Sequence, residues 1–214
     1  MTATLPCWNC AAPYEPQAAP THCPACNVVV APHPSATPFA RLGLPAPRFS
    51  IEARALETAW LQRSRAVHPD RFSSKTPPER RAAAEQTAAL NDAWRALREP
   101  FDRAGVLLKL AAVEEPKLGS AALADFMEAS EEAETSAAAK SRVVEERSAR
   151  FHEVMAAIGR ELLIVDDIAG GYASASPELP RLRKVAALVA EGRTLARLVA
   201  DLGGPVLVPT LAQR

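Results

Sequence analysis

Two Cys-x-x-Cys pairs, Cys7-Trp8-Asn9-Cys10 and Cys23-Pro24-Ala25-Cys26, lie close together near the start of the chain. Such spacing puts two thiolates on each of two tight knuckles, and together they complete a tetrahedral all-sulfur site for a metal ion. The segment around them is rich in proline and poor in bulky apolar residues, so it buries too little to fold without a staple. Structural zinc is the expected occupant. Two disulfides, reduced thiols, or iron in a rubredoxin-like site are the alternatives, and a reducing compartment disfavours the first of these. Four protein ligands leave no open position, so catalysis at the metal is not expected. His22 and His33 read as bystanders. A second constellation is His68-Pro69-Asp70, an imidazole and a carboxylate on either side of a proline. Proline ends the helix before it and forces its neighbour extended. This accounts for a turn but not for the two groups that flank it.

The elements that must hold these groups follow from periodicity. Ile51, Ala55, Ala59 with Trp60, and Val67 recur at helical spacing, with Ser50 as a candidate cap. After the turn, Pro77 and Pro78 suit a helix start. The stripe Ala83, Gln86 with Thr87, Leu90, Ala93 with Trp94, and Leu97 then runs toward Pro100. The turn is thus set between two antiparallel helices, and Arg63, Arg65 and Arg71 put a cationic strip beside it. That arrangement suits docking on an acidic protein surface. Beyond Pro116 the pattern stays helical. One segment starts at Leu123, Phe126 and Met127, a second stripe runs from Val143 to Val165, and a third from Leu182 to Leu202. Residues 166–180, with two glycines and two prolines, break the second from the third. Three amphipathic helices with short connections predict an antiparallel bundle.

The hairpin resembles a J domain, the module whose His-Pro-Asp loop stimulates ATP hydrolysis in a DnaK-class heat-shock chaperone. By that resemblance the loop maps onto His68, Pro69 and Asp70, and the cationic helix onto the stretch with Arg63 and Arg65. Residues 82–108, AAAEQTAALNDAWRALREPFDRAGVLL, and residues 38–52, PFARLGLPAPRFSIE, are similar to the HscB type, the J-proteins of iron–sulfur cluster assembly. The cysteine pairs resemble the zinc-binding extension of some members. The resemblance implies an all-α fold: a zinc-ribbon-like module over residues 1–37, a J domain over 38–110, a three-helix bundle over 111–205, and a tail at 206–214. In the HscB type the run Val106-Leu107-Leu108 packs the J domain against the bundle. The resemblance implies a co-chaperone, not an enzyme, that activates a DnaK/HscA-class ATPase and delivers an iron–sulfur cluster scaffold protein to it. The scaffold-binding residues it implies are Met127, Glu128, Glu131 and Glu134. The sequence departs from the pattern at Val67, where an aromatic is usual, and at Ser130, Glu132 and Ala187, where bulkier apolar groups are common.

The alternatives are a J-domain adaptor with a different client, a zinc-ribbon protein associated with nucleic acid, and an electron carrier. No Lys or Arg precedes Arg41, which argues against phosphate contacts by the cysteine segment. Net charge is zero and pI is near 6.9, so no bulk nucleic-acid binding is expected. There is no P-loop and no catalytic dyad. No apolar run is long enough for a membrane span, and the start of the chain reads neither as a signal peptide nor as a presequence. A cytoplasmic protein, monomeric or weakly oligomeric, is the expectation.

Overall fold

A computed structural model describes residues 4–117 and 119–205. Among the described residues the regular structure is helical apart from one two-stranded antiparallel ribbon. β1 (Leu5–Pro6) pairs with β2 (Pro13–Tyr14), placing Leu5 opposite Tyr14. The helices are α1 (Pro38–Arg41), α2 (Ala53–Val67), α3 (Pro77–Arg98), α4 (Pro100–Leu110), α5 (Ser120–Thr135), α6 (Ala137–Asp166) and α7 (Leu179–Asp201). The expected tail, residues 206–214, lies outside the described residues. The chain divides into two compact units, one made of Met1–Pro47 with Ile51–Arg98, the other of Arg48–Ser50 with Glu99–Arg214.

In the first unit α2 and α3 form an antiparallel hairpin. The Trp60 and Trp94 rings stack at 5.2 Å with 19° between planes, and the Trp60 indole N–H donates to Asn91 Oδ1 at 3.1 Å. Phe39 of α1 and Leu42 just past its end are buried with Leu56, Leu90 and Leu97. Thr37 caps α1 by accepting the Ala40 N–H, and Pro38 fills the first helical position. Helix α3 begins at Pro77 as its proline pair predicts. Its first turn is closed by Glu79, whose carboxylate accepts both the Thr76 N–H at 3.0 Å and the Thr76 hydroxyl at 2.7 Å. Helix α2 starts later than Ile51, with Glu52 preceding it and no side-chain cap. Ser50 is not the cap, because its N–H is turned to the carboxylate of Asp166.

In the second unit α5, α6 and α7 form the three-helix bundle. The pairs Asp125–Arg147 and Glu132–Arg142 link α5 to α6, while Glu161–Lys184 and Glu191–Arg150 link α6 to α7. All four have the crossed numbering of antiparallel neighbours. Its core holds Phe151, Val154, Ile158 and Leu162 from α6 with Leu182, Val185, Val189 and Val199 from α7. Helix α4 packs on α6 and α7, burying Ala104, Leu107 and Leu108. Packing therefore divides the chain after Arg98, whereas the sequence reading ran the hairpin region to residue 110. The reason is that the apolar face of α4 is spent on the bundle. Gly192 of α7 is required by this contact, since a Cβ there would stand 2.8 Å from the Phe101 ring.

Candidate functional site

The His-Pro-Asp turn is built by its own sequence. His68, placed before proline, is extended (φ −57°, ψ 129°), which stops α2 at Val67. Residues Pro69–Phe72 then form a single 3₁₀ turn, with the Asp70 N–H directed at His68 Nδ1 at 3.4 Å. Phe72 anchors the turn in the core, and Val67 is fully buried on its other side. Between these anchors the chemistry faces solvent. The His68 and Asp70 side chains are 55% and 90% exposed and only 3.5 Å apart. A polar contact so exposed contributes little to folding, so both groups are free to engage another surface.

The three arginines assigned to this neighbourhood divide. Arg65 and Arg71 are exposed, with the Arg71 guanidinium reaching toward the Arg65 carbonyl at 3.4 Å. Lys75, Arg80 and Arg81 extend the cationic surface along the start of α3. Arg63 points elsewhere. Its guanidinium donates to the Ala19 carbonyl at 2.5 Å and lies against Gly43, whose positive φ and missing Cβ make room for it. Burial pushes its pKa down, and its Nε is buried without a hydrogen-bond partner.

The four cysteines converge. Their sulfurs all lie within 4.8 Å of one another, and among the described residues they are the one such group able to hold a metal ion. The two pairs sit on matching knuckles. In the first, Cys7 N–H donates to Ala12 O and Ala11 N–H to Cys7 O, both at 2.9 Å. In the second, Cys23 N–H donates to Val28 O at 2.8 Å and Asn27 N–H to Cys23 O at 2.9 Å. Ala11 and Asn27, each one residue past its pair, take the left-handed conformation that turns the chain back (φ 58° and 57°). Asn9 adds N–H donors to sulfur, its backbone to Cys7 at 3.4 Å and its amide to Cys26 at 3.6 Å.

Crowded thiols resist sharing negative charge. Cys26 is drawn down to about 6, first by the Val28 backbone and then by the Asn9 amide. Cys10 is pushed up to about 12: the Ala12 backbone lowers it, but hydrogen bonds to the other thiols and burial outweigh that pull. A divalent cation removes the conflict by holding all four as thiolates. An all-sulfur donor set in a segment with almost no core fits structural zinc. The two histidines stay outside, as His22 Nδ1 bonds Thr21 and His33 Nδ1 bonds Ser35.

On α5 the four residues expected at a scaffold surface are all exposed. Met127 is 55% exposed and Glu128, Glu131 and Glu134 are open to solvent. Leu123, which the helical stripe had grouped with Phe126, stands 53% exposed one turn before Met127 and enlarges the apolar spot. Phe126 alone of the three turns inward, against Ala129 and Ala133. Glu132 is engaged with Arg142, Ser130 caps back onto the Phe126 carbonyl, and Ala187 is exposed on α7. Among the described residues no helix is long and apolar enough to cross a membrane.

No protein-family model matches the chain. By sequence it is similar to a "Co-chaperone protein HscB homolog" of Bordetella petrii, 47% identical over 76 residues, covering 36% of this chain and 44% of that protein. The human "Iron-sulfur cluster co-chaperone protein HscB" is 32% identical over 143 residues, 63% of this chain and 60% of that one. The chain thus spans about half the length of the curated relatives it matches. In fold it is similar to the crystal structure of human co-chaperone protein HscB (TM-score 0.72, 23% identity), over 92% of this chain and 96% of that one. It is also similar to chaperone HscB from Vibrio cholerae (TM-score 0.62, 22% identity), over 78% and 95% of the two chains.

Proposed function

We propose that this HscB-like chain is a co-chaperone of iron–sulfur cluster assembly, which stimulates the ATPase of a DnaK/HscA-class chaperone and presents a cluster scaffold protein to it. The observation that carries this reading is the exposed His68–Asp70 pair, fixed by Val67 and Phe72 on a turn between antiparallel helices and bordered by Arg65 and Arg71. The turn offers a carboxylate and an imidazole that the fold does not need, next to a cationic strip suited to an acidic partner. The chain itself would hydrolyse nothing. Zinc on Cys7, Cys10, Cys23 and Cys26 would be structural, and the exposed Leu123–Met127 spot with Glu128, Glu131 and Glu134 would receive the scaffold.

A single-turnover ATPase assay with the partner chaperone tests this. Asp70→Asn and His68→Gln are expected to abolish stimulation while shifting the chain's own melting by less than about 2 °C, because both sites are exposed. Normal stimulation by both variants would reduce the motif to a helix stop. A second reading, a J-domain adaptor with another client, is favoured by the lean α5 face, where Ser130 bonds its own helix and Glu132 is occupied by Arg142. Titration of a cluster scaffold with no binding at low salt, and chaperone stimulation intact, would select it.

A further inference from the structure

We propose that the tetracysteine module is a metal-dependent brace for the His68–Asp70 turn, coupled to it by Gln86 and Arg63 as positioning residues. The proposal rests on the reading that the four cysteines hold a metal ion, and both parts lie in the same compact unit.

Three residues join the module to the hairpin and its turn. Gln86 of α3 is 5% exposed, and its amide donates to the Val30 carbonyl at 2.8 Å and to the Pro20 carbonyl at 3.3 Å. Arg63, on the penultimate turn of α2, donates to the Ala19 carbonyl. The His22 ring, next to Cys23, lies 6.4 Å from the ring of Phe72, the residue that ends the 3₁₀ turn. The same stretch of chain thus touches α2, α3 and the turn itself.

The far side of α3 completes the path. Thr87, adjacent to Gln86, donates its hydroxyl to the Ala83 carbonyl of its own helix at 2.9 Å and lies 3.3 Å from the Val67 carbonyl, the last helical carbonyl before His68. Residues 86 and 87 therefore hold the module with one side chain and meet the end of α2 with the other.

The acceptors on the module exist only while residues 19–30 hold their shape. Its own small cluster is Cys7, Cys23 and Val30, with Tyr14, Cys26 and Val28 packed at the edge, and Val29 is buried beside it. Two of the three buried members and one at the edge are sulfur ligands, so the metal is the principal organiser of this small core. Losing it would strand the buried Gln86 donor and the half-buried Arg63 donor, and expose Phe72. A buried donor without a partner is unfavourable, so the hairpin would relax around the turn. Coupling of this kind is reciprocal. A substitution on α3 that loosens the brace must also weaken metal binding at cysteines it does not touch.

The test uses the full chain, zinc as the probe, and amide hydrogen exchange read by mass spectrometry. Chelation should speed exchange over residues 67–76 about tenfold or more and leave α6 and α7 unchanged. Gln86→Leu, loaded with zinc to the same stoichiometry as the parent, should speed exchange over 67–76 and lower zinc affinity in competition with a chelator, each by about fivefold or more. Unchanged zinc affinity in Gln86→Leu would overturn the proposal, as would unchanged exchange at residues 67–76 in that variant. Should chelation unfold the whole unit, the zinc-loaded variant still decides. Absence of bound metal in the purified chain would instead sink the underlying reading, before any exchange is measured.

Discussion

Removing one carboxylate, Asp166→Ala, should destabilise the bundle out of proportion to its surface position. An aspartate as the last residue of α6 opposes the helix dipole, so an interaction elsewhere must hold it there. Its Oδ1 accepts the Phe49 N–H and the Tyr172 hydroxyl, and its Oδ2 the Ser50 N–H, each at 2.6 Å. Arg103, 4% exposed, donates to the Phe49 carbonyl at 2.7 Å. Burial brings the Arg103 pKa down to about 10 despite the opposing pull of Asp166 and Glu99. In the alanine variant the Ser50 N–H can turn to water, and Tyr172 keeps the Leu162 carbonyl at 3.2 Å. The Phe49 N–H has no such exit, and Arg103 loses a neighbouring opposite charge. Leaving one buried donor unsatisfied costs about 1–3 kcal/mol, and the weakened charge pairing adds to it, for a total of roughly 2–4 kcal/mol. For a chain of this size that is a fall in Tm of roughly 4–16 °C, measured by circular dichroism. Asp167→Ala, the exposed neighbour, is the control and should move Tm by less than about 2 °C. If the two variants melt alike, the clamp contributes nothing and the reasoning fails.

Metal analysis of purified chain should give about one zinc per chain, and stoichiometric iron or paired disulfides would refute the assignment. Glu161 is held below the usual glutamate range, first by the Lys184 ammonium and then, against the opposing effect of burial, by Arg181. A depressed carboxylate stabilises above its unfolded pKa and loses that contribution as pH falls through the folded one. Melting temperature should therefore drop as pH is taken below the ordinary glutamate range, and less steeply in Glu161→Gln; parallel pH profiles would exclude the effect. Scaffold binding, measured by calorimetry, should weaken about fivefold or more in Leu123→Ala with Met127→Ala and fall with added salt, and an unchanged affinity would move the site off α5.

Much of the hairpin was legible because its signals are local. Proline at positions 69, 77 and 100 marks where helices must stop or start, and helix boundaries follow them closely. The four cysteines announced their convergence by spacing alone. Arg63 was misleading for a physical reason: helical periodicity assigns a residue to a face but does not say what covers that face. A polar side chain facing a second module reads the same as one facing water. Gln86 did carry a signal, an amide on an otherwise apolar stripe, which implies a buried hydrogen bond whose partner lies elsewhere in the chain. The Asp166 clamp had none, since besides the nearby Tyr172 hydroxyl its partners are backbone N–H groups more than a hundred residues away.

The placement of the tryptophans gives the chain a built-in optical partition. All three, Trp8, Trp60 and Trp94, fall in the first unit, and the second has none. Indole emission therefore follows the hairpin and its cysteine module alone. The two longest helices, α6 with 30 residues and α7 with 23, lie in the other unit and weight the far-ultraviolet amide signal toward it. The stacked Trp60–Trp94 pair should add fixed-ring ellipticity in the near ultraviolet that vanishes when α2 and α3 separate. Trp8, 47% exposed between two sulfur ligands, is placed to sense the state of the cysteines. Unlabelled protein can thus be followed in two regions during one thermal scan, and the gap between the curves measures how far the two units unfold independently.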